Sequence, residues 1–235
     1  MKKLWIALSV AVAVIFTAAV GLCMGVLRGV QAVSDFSDGG MRIVLDAGHG
    51  GIDGGVIGKE TGVKESDLNL SFVYCIKTVL EDMGFETVLT RKTEAGLYGT
   101  ATKGFKKRDM KKRKELIEEA DPAMVLSIHQ NFYPAKSTRG GQVFYNKTSE
   151  GGQKLAFALQ KKINALYAEE GARGRNATSG DYYILNCAEC PSVIVECGFL
   201  SSPSDEALLI NEVWQKRFAE TVAAGVLEYF ADLSA

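Results

Sequence analysis

Two histidines occur in the 235-residue sequence, and each closes a short apolar run. His49 follows Ile43-Val44-Leu45-Asp46-Ala47-Gly48 within LDAGHGGIDGG, a stretch holding five glycines. His129 follows Met124-Val125-Leu126-Ser127-Ile128 and precedes Gln130-Asn131. Open α/β sheets place ligands beyond the C-terminal ends of their strands. Two strands that each end on an imidazole therefore bring both rings to one edge, and this matched placement favours a metal over two unrelated structural histidines.

Two imidazoles leave a catalytic zinc short of its usual third protein ligand, and a carboxylate is the common supplement. Glu65 is the preferred one. It immediately precedes an amphipathic helix containing Leu68 and Phe72, where the helix dipole favours an anion. Asp67 reads instead as an early-helix acid that satisfies free amides. Glu60 is a further carboxylate that residue pattern alone leaves open. A fourth acid stands out in Pro191-Ser192-Val193-Ile194-Val195-Glu196-Cys197-Gly198-Phe199. Inside an apolar strand an ionised side chain is costly unless paired or functional, so Glu196 reads as a general base acting on a water at the metal. The alternative is an edge-strand glutamate facing water. Cys197, one residue on, points to the opposite face and into the core.

The elements that must position these groups follow from the hydrophobic pattern. Strands are expected over residues 42–46, 85–90, 124–128, 142–145, 183–185 and 193–197. Helical spacing links Leu68, Phe72, Cys75, Ile76, Val79, Leu80 and Met83, stopping at Gly84. It recurs over Leu155, Leu159, Ile163 and Leu166 before Gly171, and again over Trp214, Phe218, Val222 and Tyr229. Strands alternating with helices predict an α/β sheet. Residues 94–104, with three glycines, read as a loop bordering a substrate groove. The next segment, KGFKKRDMKKRK (103–114), carries eight basic residues and one acid. A solvated helix face is the default for such a run; binding of an anionic polymer is the functional alternative.

Composition sets the frame around that domain. With 47% hydrophobic and 23% charged residues, the chain can bury one α/β core plus an accessory segment. A net charge of -1 gives no global attraction to nucleic acid, and no nucleic-acid partner is expected. Residues 4–27 are uncharged and almost wholly apolar, preceded by Lys2-Lys3 and followed by Arg28. As a helix they span about 36 Å, enough to cross a hydrocarbon core of roughly 30 Å. The lysines hold the N-terminus in the cytoplasm and place the rest on the far side. Residues 1–33 thus read as a signal or anchor, an uncleaved anchor being favoured over cleavage near Val30-Gln31-Ala32. Residues 34–41 read as a linker and residues 42–235 as the catalytic domain. Five cysteines form no disulfide framework. Cys187-Ala188-Glu189-Cys190 has no second pair to make a zinc knuckle, which leaves a local disulfide or two free thiols.

DAGHGGIDGG, KESDLNL, LTR, SIHQN and VECGFLSSPSDE occur in this order, and together they resemble the zinc-dependent N-acetylmuramoyl-L-alanine amidases (amidase type 3) over about residues 42–230. The resemblance implies a single domain with a twisted, mostly parallel sheet flanked by helices. It further implies His49, Glu65 and His129 as zinc ligands, Glu196 as the catalytic glutamate, and peptidoglycan as the substrate. Cleavage falls between the lactyl group of N-acetylmuramic acid and L-alanine. Within the family, the membrane-proximal single-domain form with a lysine-rich segment before SIHQN is most similar to the germination-specific, spore-cortex branch. A three-ligand zinc site retains its metal weakly, which leaves a role for an activator protein as partner. Ala47 departs from the family pattern, standing where proline is usual. Two other readings remain at this point: a non-catalytic peptidoglycan-binding module, and a zinc peptidase cutting within the stem peptide.

Overall fold

The computed structural model describes residues 41–233. The expected signal or anchor and nearly all of the linker lie outside the described residues, among which no helix is long and apolar enough to cross a membrane. One α/β domain is built on a six-stranded sheet of order β2-β1-β3-β6-β4-β5. The strands are β1 Arg42–Ala47, β2 Glu86–Leu89, β3 Met124–Asn131, β4 Gln142–Tyr145, β5 Thr178–Ser179 and β6 Ser192–Phe199. All neighbours pair in parallel except β4 with β6.

Period-two alternation divides the core. Ile43, Leu45 and Ala47 of β1, Met124, Leu126 and Ile128 of β3, and Val193, Val195 and Cys197 of β6 face the larger cluster. Helices α1 Glu65–Asp82, α3 Glu150–Glu169 and α5 Glu212–Leu233 cover this face, burying Phe72, Ile76, Leu159, Trp214 and Phe218 among others. Val44, Val125 and Ile194 point the other way, against Ile117 and Ala120 of α2 Phe105–Ala120 and against Ile184 and Leu185. Helix α4, Pro203–Leu209, starts at Ser202, whose side chain accepts from the Asp205 amide, an ordinary N-cap. The ends read from Gly84 and Gly171 hold: α1 and α3 stop just before them, and both glycines have positive φ, 93° and 69°.

One expected strand is absent. Tyr183–Asn186 form a 3-10 turn, with the Leu185 amide bonded to the Tyr182 carbonyl. Its consecutive residues Ile184 and Leu185 are both buried, which a half-exposed strand does not allow. The sixth strand is the two-residue β5 at the sheet edge. Cys187 and Cys190 are free thiols, Cys75 is half-buried against the main core, and Cys197 is fully buried as expected.

Candidate metal centre

Sheet order explains why distant residues meet. Strands β1, β3 and β6 are adjacent and parallel, so their C-terminal ends share one rim. His49 lies two residues beyond β1, His129 lies in β3, and Glu196 of β6 is the register partner of His129. The β3–β6 register shifts between His129 and Asn131, just past the imidazole. Asp46, Ser127, His129 and Glu196 line a cavity of about 380 Å³ on the α2 side, whose wall also includes His49, Asp53, Lys106, Met110 and Tyr183.

Glu65 Oε1 is the common point of the cluster, 2.9 Å from His129 Nδ1 and 3.3 Å from His49 Nε2. The three ligand atoms lie within 4.8 Å of one another, and the imidazoles cross edge to face at 5.1 Å between centroids. Glu65 is only 3% exposed and is fixed from all sides. Its Oε2 accepts from the Val56 amide at 2.9 Å, and its Oε1 from the Gln130 amide at 3.2 Å. Burial alone would raise its pKa, but the contacts with His129 and His49 outweigh it and hold the carboxylate well below its ordinary range. Burial likewise opposes charge on His49, yet Glu65 and Asp53 raise its pKa.

Two glycines make room for this cluster. A Cβ on Gly48 would lie 2.2 Å from His129 Cε1, and one on Gly55 would lie 2.3 Å from Glu65 Oε2. Gly55 also has φ of 68°, which favours glycine. His49 itself has a left-handed φ of 61°, costly for a non-glycine residue and held by its surroundings. Those surroundings are a buried layer beneath the rim. Arg113 Nη2 donates to the His49 carbonyl at 2.5 Å and Nη1 to the Ala47 carbonyl at 2.8 Å, and its guanidinium also pairs with Asp46 and Asp109. Arg91 donates to the Ala47, Gly48 and Ser66 carbonyls. Asp46, 1% exposed, accepts from Thr90 and Ser127 as well as Arg113. Burial would raise the Asp46 pKa, but the Arg113 charge and those two hydroxyls bring it below its usual value.

Every residue expected at the site is therefore at one place. A nitrogen–oxygen–nitrogen donor set suits zinc, and the glycine-lined cradle keeps the donors convergent. Glu196 Oε2 is buried and without a hydrogen-bond partner among the described residues. Burial raises the Glu196 pKa to about 7. Glu60 and Asp67 stand outside: Glu60 is exposed, its Oε1 3.5 Å from Lys136 Nζ, and Asp67 is exposed beside Ser66 Oγ. Asp67 does not cap α1, whose N-cap lacks a side-chain bond.

Three functional neighbours escaped the residue pattern. Asp53 Oδ2 lies 3.2 Å from His49 Nδ1 and 3.3 Å from Lys106 Nζ, so it orients the ring whose Nε2 faces Glu65. Its signal was the GIDGG turn itself, four residues after His49. Asp46 carried the same cue as Glu196, an acid inside an apolar strand. Arg113 is hidden in the basic run, where only its i,i+4 spacing from Asp109 sets it apart.

His49, Glu65 and His129 converge as a group that could hold a metal ion, beside a buried carboxyl at the strand ends of an open α/β sheet, where such folds place ligands. Residues 43–228 match the model of the N-acetylmuramoyl-L-alanine amidase family, and the chain belongs to it. It is 31% identical over 196 residues to the germination-specific N-acetylmuramoyl-L-alanine amidase of Bacillus subtilis, covering 82% of this chain and 81% of that one. Among solved structures it is similar to the CwlD amidase of Clostridioides difficile in complex with the GerS lipoprotein, with a TM-score of 0.76 and 31% identity. That match covers 80% of this chain and 98% of that one. The catalytic domain of CwlV, an N-acetylmuramoyl-L-alanine amidase from Bacillus (Paenibacillus) polymyxa var. colistinus, matches with a TM-score of 0.69 and 26% identity. Here 80% of this chain and 97% of that one are covered.

Proposed function

We propose that the chain is an exported, zinc-dependent amidase that hydrolyses the amide between the lactyl group of N-acetylmuramic acid and L-alanine, in maturation or germination of a spore cortex. One observation carries the reading: Glu65 Oε1 lies within 3.3 Å of both imidazoles, beside the partnerless buried oxygen of Glu196. His49, Glu65 and His129 would hold the metal. When bound, zinc supplies Lewis acidity, polarising the scissile carbonyl and lowering the pKa of a water toward about 7.

The protein's own groups do the rest. Glu196, its buried Oε2 without a partner among the described residues, accepts a proton from the attacking water and returns it to the departing L-alanine nitrogen. Asp53 keeps His49 in one tautomer, and Arg113 holds the turn that carries it. Residues 1–33 would deliver or anchor the domain on the far side of the membrane through the 34–41 linker, with 42–235 as the catalytic domain. The assembly of the C. difficile relative with a lipoprotein supports an accessory protein here too.

The test is muropeptide analysis by mass spectrometry of peptidoglycan treated with the protein, with and without added zinc. Zinc-dependent release of intact stem peptides with new L-alanine amino termini is expected. Fragments cut between stem residues would instead mark a zinc peptidase. No cleavage in either condition would mark a binding module.

A further inference from the structure

Arg113 and Lys106 tie part of the basic segment to the metal site, and the structure shows where the rest of it leads. Lys106, Met110 and Tyr183 border both the cavity beside the donors and a second groove of about 720 Å³ running along α2. That groove is walled by Lys106, Lys107, Lys111 and Lys114 on the helix and by Tyr183, which is 53% exposed. Its carboxylates are Glu115 and Glu118, and Lys106 is engaged by Asp53 at 3.3 Å, so Lys107, Lys111 and Lys114 face two acids in the groove. Lys111 and Lys114 engage these acids only at long range, Lys111–Glu115 at 3.7 Å and Lys114–Glu118 at 3.5 Å on exposed side chains, while Glu115 is held more closely by Lys112 at 3.2 Å. Lys107 makes no ion pair among the described residues. Exposed pairs of this kind are weak and exchange readily for another carboxylate.

We propose that this groove is the subsite for the stem peptide and that Lys107 and Lys111 recognise its free carboxylates. The inference rests on the amidase reading above and adds the orientation of the substrate. In a muramoyl-peptide the lactyl carboxyl is consumed in the amide and the sugars are uncharged. Its negative charge therefore lies on the stem, in acidic side chains and the terminal carboxylate. An excess of ammonium groups on one side of the metal cavity complements that half of the substrate and not the glycan. Continuity through Lys106, Met110 and Tyr183 lets a peptide emerge from the scissile amide straight onto α2.

The experiment compares two synthetic N-acetylmuramoyl-L-alanyl peptides under the zinc-loaded full chain, one with free stem carboxylates and one with carboxamides in their place. The wild type is expected to favour the acidic substrate in kcat/KM by about threefold to tenfold, chiefly through KM, the worth of two exposed charge pairs. In the double variant Lys107→Glu/Lys111→Glu the preference disappears or inverts, and in Lys107→Arg/Lys111→Arg it persists. Because the readout is a ratio within one preparation, loss of folded protein does not alter it. Equal kcat/KM for the two substrates in the wild type, or an unchanged ratio after charge reversal, would overturn the subsite while leaving the amidase reading intact. Hydrolysis of neither substrate would overturn both.

Discussion

Gly48 lies directly against the His129 imidazole: a Cβ at that position would come within 2.2 Å of Cε1 and 2.3 Å of Nε2. The ring cannot retreat freely, because Nδ1 is engaged by Glu65 at 2.9 Å. Gly48→Ala is therefore expected to displace His129, lowering zinc affinity by about 10–100-fold, as misplacing a ligand does, while overpacking costs about 1–3 kcal/mol of stability. Competition with a chromophoric chelator reads the first effect and urea denaturation the second. Wild-type zinc affinity in this variant would show that the ring is not a ligand.

Asp53 supplies an independent handle on the other imidazole. Its Oδ2 lies 3.2 Å from His49 Nδ1, so Asp53→Ala frees the ring to rotate and exchange tautomers. Zinc affinity should drop about 10–100-fold. Asp53→Asn, which keeps an acceptor oxygen, should recover part of the loss. Melting of the metal-free protein should barely change in either variant, since Asp53 belongs to a surface turn.

Arg113 is 2% exposed and binds two carboxylates and two carbonyls at once. Replacement by Met leaves Asp46 charged and buried without its cation, which costs about 3–5 kcal/mol. The expected result is a large fall in the denaturation midpoint together with weakened zinc binding. Lys112→Met, one residue away on an exposed position, should leave the midpoint within about 0.5 kcal/mol of the wild type.

Much of this centre was legible in the residues, and its limits are physical. His49 and His129 announced themselves because a strand's end is a place the hydrophobic pattern locates well. Glu196 did so because an acid in an apolar strand contradicts its setting. The role of Asp53 depends on the 50–53 turn folding back, where Gly50 and Asp53 bridge each other, and no periodicity encodes that. Arg113 is one of eight basic residues within residues 103–114, and only the packing of α2 on β1 selects which of them is buried. The same reasoning covers the misread element at 183–185. Tyr-Ile-Leu suits a strand by type, but burial of both Ile184 and Leu185 under α2 requires a turn. The edge strand β5, two residues long, carries no pattern at all.

Glu196 gives the pH dependence. In the folded, metal-free chain burial keeps its proton on up to about pH 7, against an ordinary value of 4.5. Between those values the folded state holds a proton that the unfolded state has released, so this group's contribution to stability falls as pH rises from about 4.5 to 7. Glu196→Gln removes that loss. The variant should gain on the wild type by about 1–3 kcal/mol between pH 4.5 and 8 in urea titrations of zinc-free protein. A constant difference across that range would place the carboxyl in an ordinary, solvated setting.

The most direct test of the central claim pairs zinc content after dialysis with release of L-alanine amino groups from N-acetylmuramoyl-L-alanine peptides, for the wild type, His129→Ala and Glu196→Gln. One zinc per chain is expected in the wild type and in Glu196→Gln, with hydrolysis in the wild type alone, and zinc lost from His129→Ala. Retention of a full equivalent of zinc by His129→Ala, or undiminished hydrolysis by Glu196→Gln, would contradict the assignment of these side chains to metal and proton transfer.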